Sequence, residues 1–286
     1  MTTAPWEHHE LVFVGGLHRS GTTLVAAAVA SAEDASGLTG TGVPKDEGQF
    51  LQDLFPTGKA LGGPTRWAHQ AGAHLTEDDA HAPHELARRL WDAWSPHWDL
   101  GRRLLVEKTP LNLLRTRYLQ RLFPGARFVV VTRHPVTQSL AVKRWARNRP
   151  TRLGRGLEHL VDHWLVAHER HRVDAAHLER LLVLRYEHLV DDPGREAARL
   201  GRFLGGELPD TAFARVDPAV ALAYARRWDA ARGHGRPPAA TGAPDRLRAG
   251  IERAFLAGLP RRLEPRAERI RALGYDVGRA LDVVDD

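Results

Sequence analysis

Leu11-Val12-Phe13-Val14-Gly15-Gly16-Leu17-His18-Arg19-Ser20-Gly21-Thr22-Thr23-Leu24 decides the fold: an apolar run enters a Gly/Ser/Thr turn that opens the Ala-rich stretch Val25 to Ala32. The apolar run suits a strand, and the Ala-rich stretch suits a helix. A strand-turn-helix of this kind aims several backbone N–H groups and the positive end of a helix dipole at one spot, which makes an anion cradle. Gly16 and Gly21 have the G-x-x-x-x-G spacing of a nucleotide triphosphatase loop, yet Thr22 stands where that loop carries its phosphate-contacting Lys. The cation lies inside the turn instead, at Arg19. Thr22 and Thr23 have a second reading, as hydroxyl caps of the helix.

Beyond this unit strands and helices alternate. Gly37 to His84 is rich in Gly, Pro and His and nearly without period, apart from a short helical run at Gly48 to Leu54. A helix is expected at His84 to Trp98, a strand at Arg103 to Glu107, and a helix at Leu111 to Leu122 stopped by Phe123-Pro124-Gly125. Arg127 to Thr132 reads as a strand buried on both faces. Helices at Val136 to Arg147 and Leu157 to Arg180 lead to a strand at Leu181 to Arg185. Helices follow at Pro193 to Leu204 and Pro218 to Ala231, then a loop at Gly233 to Pro244, then helices at Asp245 to Ala257 and Pro265 to Leu273. This order implies an α/β fold in one domain over residues 1–286, with a central parallel sheet flanked by helices, a P-loop-like turn and a mostly helical C-terminal part.

Composition narrows the function classes. A 286-residue chain with 43% hydrophobic residues can bury a full core. The absence of Cys excludes disulfides and thiolate metal sites. No apolar run approaches the roughly 20 residues that span a bilayer, and Met1 to Glu10 has no signal-peptide core, so a cytoplasmic protein is expected. The net charge of +6 comes from basic residues spread along the chain without interleaved stacking aromatics, which argues against a nucleic-acid partner. Lys45, Lys59, Lys108 and Lys143 are the only lysines in an Arg-rich chain, and Lys108 sits at a strand mouth.

A second cradle follows the strand Phe128 to Thr132, where Arg133-His134-Pro135 opens a helix. Ligands of open α/β sheets gather at such strand ends, and two cradles on one sheet suit a ligand with two separated anionic groups. Gly16 to Leu24, Val106-Glu107-Lys108-Thr109-Pro110 and Leu122 to Pro135 resemble the motifs of PAPS-dependent sulfotransferases, within the bacterial group that is also similar to protein-tyrosine sulfotransferases. Leu184-Arg185-Tyr186-Glu187-His188-Leu189-Val190 with Asp192-Pro193, and Leu273-Gly274-Tyr275-Asp276, resemble later landmarks of that group.

The resemblance implies roles. Arg19, Ser20, Gly21, Thr22, Thr23 and Leu24 would hold the 5′-phosphosulfate of PAPS, Arg133 the 3′-phosphate, and Lys108 the oxygen bridging phosphate and sulfur, with Tyr186 also at the donor site. Fixed cations and backbone donors at those places stabilise the charge that develops during transfer, which fits the absence of an evident magnesium site. The family's usual Ser eight positions after the 3′-phosphate Arg is Ala141 here, so Ser139, Thr137 or helix N–H groups are the candidates for that contact. The acceptor, a small-molecule hydroxyl compound, needs a general base. Glu47 stands where the group carries a Glu, with Asp46 and the His residues of the following segment as alternatives. The oligomeric state stays open.

Two patterns admit other readings. His159, His163, His168 and His171 share one expected helix and read as a polar face or, less simply, as metal ligands without an H-E-x-x-H pattern. Trp91, Trp94 and Trp98 read as core packing or as an acceptor-pocket wall. A P-loop kinase-like phosphotransferase lacks its Walker Lys at Thr22, and a non-catalytic nucleotide-binding protein would have no use for Arg19, Lys108 and Glu47 together.

Overall fold

The computed structural model describes residues 4–145, 156–214, 216–232, 256, 258–278 and 280. Its strands are β1 (Glu10–Gly16), β2 (Ala35–Gly37), β3 (Leu104–Lys108), β4 (Arg127–Thr132) and β5 (Leu181–Arg185), and they form one parallel sheet in the order β2-β3-β1-β4-β5. The chain leaves β1 toward β2 and β3 on one side, then crosses to β4 and β5 on the other. That reversal falls at β1, and the carboxyl end of such a strand is where open α/β sheets place their ligands.

Strand alternation sends the two halves of each apolar run to opposite faces. Val12, Val14, Val106, Val129 and Val131 pack with Val25 and Val29 of helix α1 (Thr22–Ala30) and with Leu200 of a later helix over Pro193–Leu204. Leu11, Phe13, Leu105 and Phe128 face α2 (Pro83–Trp94) and α3 (Thr116–Leu122). A third cluster joins Val130 to α4 (Pro135–Trp145), α5 (Leu157–Ala175) and the C-terminal part. At the opposite end of the sheet, the Glu10 carboxylate accepts from Arg103 Nη1 and Arg127 Nε, both at 2.7 Å, and so ties the starts of β1, β3 and β4.

The remaining helices are α6 (Tyr186–Asp191), α7 (Pro193–Leu204), α8 (Pro218–Ala231), α9 (Leu259–Leu263) and α10 (Ala267–Arg271). Asp192 caps α7 by accepting from the Arg195 N–H at 2.9 Å, and Gly205, at φ 79°, ends it in a left-handed turn. Several expected boundaries shift for local reasons. Pro96 turns the last residues of the expected 84–98 helix into a 3-10 turn, Ser95–His97. The expected 111–122 helix is split at Arg115, with a 3-10 turn at Pro110–Leu114. The last helix begins earlier than Pro265, as α9, a second 3-10 turn and α10. Strand β2 and helix α6 carry no period long enough to read from sequence. Gly48 to Leu54 is helical only over Gly48–Phe50. The loop expected at 233–244 and most of the helix expected at 245–257 lie outside the described residues.

Both ambiguous side-chain patterns resolve into packing. Trp91, Trp94 and Trp98 are buried in the core, with Trp94 Nε1 donating to Gly48 O at 3.1 Å and Trp98 Nε1 to Val106 O at 3.0 Å. The polar-face reading of α5 is corrected, because His163, His168 and His171 are buried rather than solvated. His163 meets the edge of Trp67, and His168 stacks on Trp164 at 4.2 Å. Among the described residues no group of three His, Asp or Glu side chains is arranged to hold a metal ion.

Burial holds His134 and His171 down to a pKa of about 4 and His168 to about 3, against 6.5 in an open chain, and pushes His163 well below that value too. The unfolded chain therefore takes up protons from pH 6.5 downward that the folded chain refuses, and stability falls with pH until the folded values are reached. At pH 5 each such histidine costs about 2 kcal/mol relative to pH 7.5. Urea unfolding of the wild type and of His168→Gln at the two pH values measures this, and an equal loss at pH 5 in both would contradict neutral burial of His168.

Candidate active site

The turn after β1 is held by its own backbone. The Ser20 N–H donates to Leu17 O at 3.1 Å, Arg19 takes a left-handed φ of 70°, and Gly21 at φ 111° is the residue before α1. No side chain caps α1, so the hydroxyl-cap reading of Thr22 and Thr23 is not realised, and the first-turn N–H groups face the turn. Arg19 is exposed at the rim, Thr22 is buried and Thr23 exposed. Leu24 packs its side chain against the sheet, so only its backbone belongs to the turn. The Ser20 hydroxyl is buried without a partner among the described residues.

Arg133 crosses to this turn from the end of β4. Its Nη1 donates to Arg19 O at 3.0 Å, and its guanidinium lies 4.2 Å over the ring of Tyr186, the first residue of α6. That ring fills the space beside Gly21, where a Cβ would stand 2.7 Å from it. Arg133 is buried, and burial lowers its pKa, though a guanidinium stays charged. Arg19, Ser20, Gly21, Tyr186 and Arg133 thus form one connected group. Ser139 lies in α4, fully buried, its hydroxyl without a partner among the described residues. The Thr137 hydroxyl donates to His134 O at 3.1 Å, and the His134 N–H donates to Glu187 Oε1 at 2.9 Å, so the helix start spends part of its hydrogen bonding internally.

A second group sits at the end of β3. The register pairs Lys108 with Val14, two residues before Gly16, so β3 ends on the same edge of the sheet as the turn after β1. Lys108 Nζ donates to Glu47 Oε1 at 2.7 Å, and both side chains are buried. Asp46 is turned away, accepting from the Thr41 N–H at 3.2 Å and the Thr41 hydroxyl at 2.6 Å. Of the histidines weighed beside Glu47, His74 Nε2 meets Asp174 at 2.8 Å, His69 stacks on His159 and His84 lies against Trp6.

Residues 11–210 match the model of the sulfotransferase family. The chain belongs to that family. Among solved structures, this sulfotransferase-family chain is similar to the sulfotransferase domain of the Synechococcus PCC 7002 olefin synthase, at 19% identity over 91% of this chain and 98% of that one, with a TM-score of 0.48. It is also similar to a sulfotransferase from Alicyclobacillus acidocaldarius, at 16% identity over 93% and 95% of the two chains and a TM-score of 0.47. A sulfotransferase from Mycobacterium avium matches at 15% identity over 90% of this chain and 77% of that one, with a TM-score of 0.48. No curated protein matches the chain.

Several residues that sequence reading did not assign surround these groups in this sulfotransferase-family chain. Glu107 is wholly buried and accepts from the Gly48 N–H at 2.9 Å, the Thr109 hydroxyl at 2.6 Å and Asn112 Nδ2 at 2.5 Å; burial raises its pKa. Tyr275 OH and Thr132 Oγ1 share a 2.7 Å hydrogen bond, Trp164 Nε1 donates to Arg133 O at 2.9 Å, and Arg185 Nη1 donates to Gly274 O at 2.9 Å. The signal for these was a polar residue inside an apolar strand or a Gly-Tyr pair in the tail, neither of which names a partner.

Gly21→Ala tests the turn. A methyl group at φ 111° meets the Tyr186 ring, so a loss of about 1–3 kcal/mol in urea unfolding is expected. An unchanged midpoint would show that the ring is not held there.

Proposed function

We propose that the chain transfers the sulfonate of PAPS to a hydroxyl of a small-molecule acceptor, a secondary metabolite, sugar or glycolipid, and releases PAP. Family membership supports the transferase class. The observation that supports the finer reading is the 2.7 Å contact of Lys108 with Glu47 at the end of β3, the strand paired with β1, which puts a cation and a carboxylate side by side. The acceptor oxygen bonds to sulfur as the bond from sulfur to the bridging oxygen breaks. The electron pair leaves with PAP, and the acceptor proton passes to Glu47. Lys108 stabilises the charge growing on the bridging oxygen, and Arg19 with the Ser20 hydroxyl and the N–H groups of Gly21, Thr22, Thr23 and Leu24 holds the sulfonate and 5′-phosphate. Arg133 recognises the 3′-phosphate, with Ser139 supplying a hydroxyl and Tyr186 backing the guanidinium.

The proposal includes one domain over residues 1–286, action in the cytoplasm, no nucleic-acid partner and no metal requirement. No helix among the described residues is long and apolar enough to cross a membrane. Thr22 in place of the Walker Lys disfavours the phosphotransferase alternative.

Two measurements test this. Charge-assisted phosphate contacts contribute about 1.5–3 kcal/mol, so Arg133→Ala should weaken PAP binding at least about tenfold in calorimetry and leave ADP nearly unchanged. Equal loss for both nucleotides would remove the 3′-phosphate role. In PAPS turnover with a panel of hydroxyl acceptors, Glu47→Gln should lower kcat by roughly 10²- to 10⁴-fold with PAP affinity kept, and EDTA should leave the rate unchanged. An active Glu47→Gln enzyme, or an inactive Asp46→Asn one, would move the base elsewhere.

A further inference from the structure

Gln49 makes the other contact on Glu47. It is 3% exposed, and its Nε2 donates to Glu47 Oε2 at 2.6 Å while Lys108 holds Oε1. The amide has one orientation available. Its Oε1 accepts from the Gly58 N–H at 2.8 Å, a group that only donates, so the NH₂ end must face the carboxylate.

The frame around Gln49 is equally constrained. The Gln49 N–H donates to Thr109 Oγ1 at 3.2 Å, and that hydroxyl donates to Glu107 Oε1, which also receives the Gly48 N–H. A Cβ on Gly48 would stand 2.8 Å from both Glu107 and Trp94, so the backbone between Glu47 and Gln49 lies flush against the core. Glu47 is thereby gripped from two directions, by β3 through Lys108 and by its own segment through Gln49.

We propose that Gln49 is a positioning residue that fixes the carboxylate plane of Glu47 for proton acceptance. Such a contact removes rotamer freedom from the side chain whose oxygen must meet the acceptor, and outer partners of this kind commonly matter about 10- to 100-fold. The inference rests on Glu47 being the base.

Gln49→Met keeps volume and removes both hydrogen bonds. We expect kcat for PAPS turnover to fall about 10- to 100-fold, with PAP affinity by calorimetry and the acceptor KM unchanged within about twofold. A purely structural residue would cost the same factor in any background, so the decisive measurement is Gln49→Met in the Glu47→Gln enzyme, where it should lower the residual rate by less than about twofold. Should Gln49→Met fold poorly, Gln49→Glu retains the acceptor for the Gly58 N–H while placing an acceptor against Glu47, and the same loss is expected. Wild-type kcat in the folded single variants, or the full loss in the Glu47→Gln background, overturns the positioning role. Full activity of Glu47→Gln itself would instead overturn the base assignment.

Discussion

A buried guanidinium constrains everything near the end of β4. Taking a cation out of water costs several kcal/mol unless its surroundings replace the lost hydration, and Arg133 is replaced on two sides, by the π face of Tyr186 and the carbonyl of Arg19. Each replacement constrains other residues. Tyr186 reaches its place only because Gly21 has no side chain, and the carbonyl of Arg19 turns toward Arg133 in a left-handed conformation uncommon for a residue with a Cβ. Glu187, buried beside the same arginine with its pKa raised by burial, ties the start of α4 to this assembly.

The sheet separates stability from chemistry by its two ends. At the amino end Glu10 is neutralised by Arg103 and Arg127, which leaves little there for a ligand to gain. At the carboxyl end Lys108 meets Glu47 with Glu107 nearby, and Arg133 meets a ring and a carbonyl with the Glu187 carboxylate nearby, so cations and carboxylates are held together at strand ends. Parallel strands make that division possible, because all five loops that leave strand ends in one direction converge on one edge.

What could be read from the sequence was whatever repeats or turns sharply. The apolar runs of β1 and β4, the Gly-rich turn and the basic residues at strand mouths signal themselves locally, and the structure places Arg19, Arg133, Lys108 and Glu47 in two neighbouring groups. The segment between Gly37 and His84 did not yield, since its backbone is satisfied by isolated three-residue 3-10 turns and by side chains rather than by any long periodic run. Gln52 alone serves four backbone groups, from Gln49 to Phe55. The histidines of α5 misled for a related reason: a polar residue type predicts a solvated face, yet His168 satisfies Nδ1 with the carbonyl of Trp164 and lies flat on its ring inside the core.

The hydrogen bond between Thr132 and Tyr275 joins residues 143 positions apart, and Gly274, Asp276 and Val277 contact Arg185, His134 and Trp228 across 89, 142 and 49 positions. Loop-closure entropy for such pairs is spent before they return anything, which puts them late in folding. During synthesis the strands and both anion turns emerge long before residues 274–277 do. The wall behind Arg133 is therefore completed only once residues 274–277 have been made, and until then the nascent chain holds this end of β4 half-built.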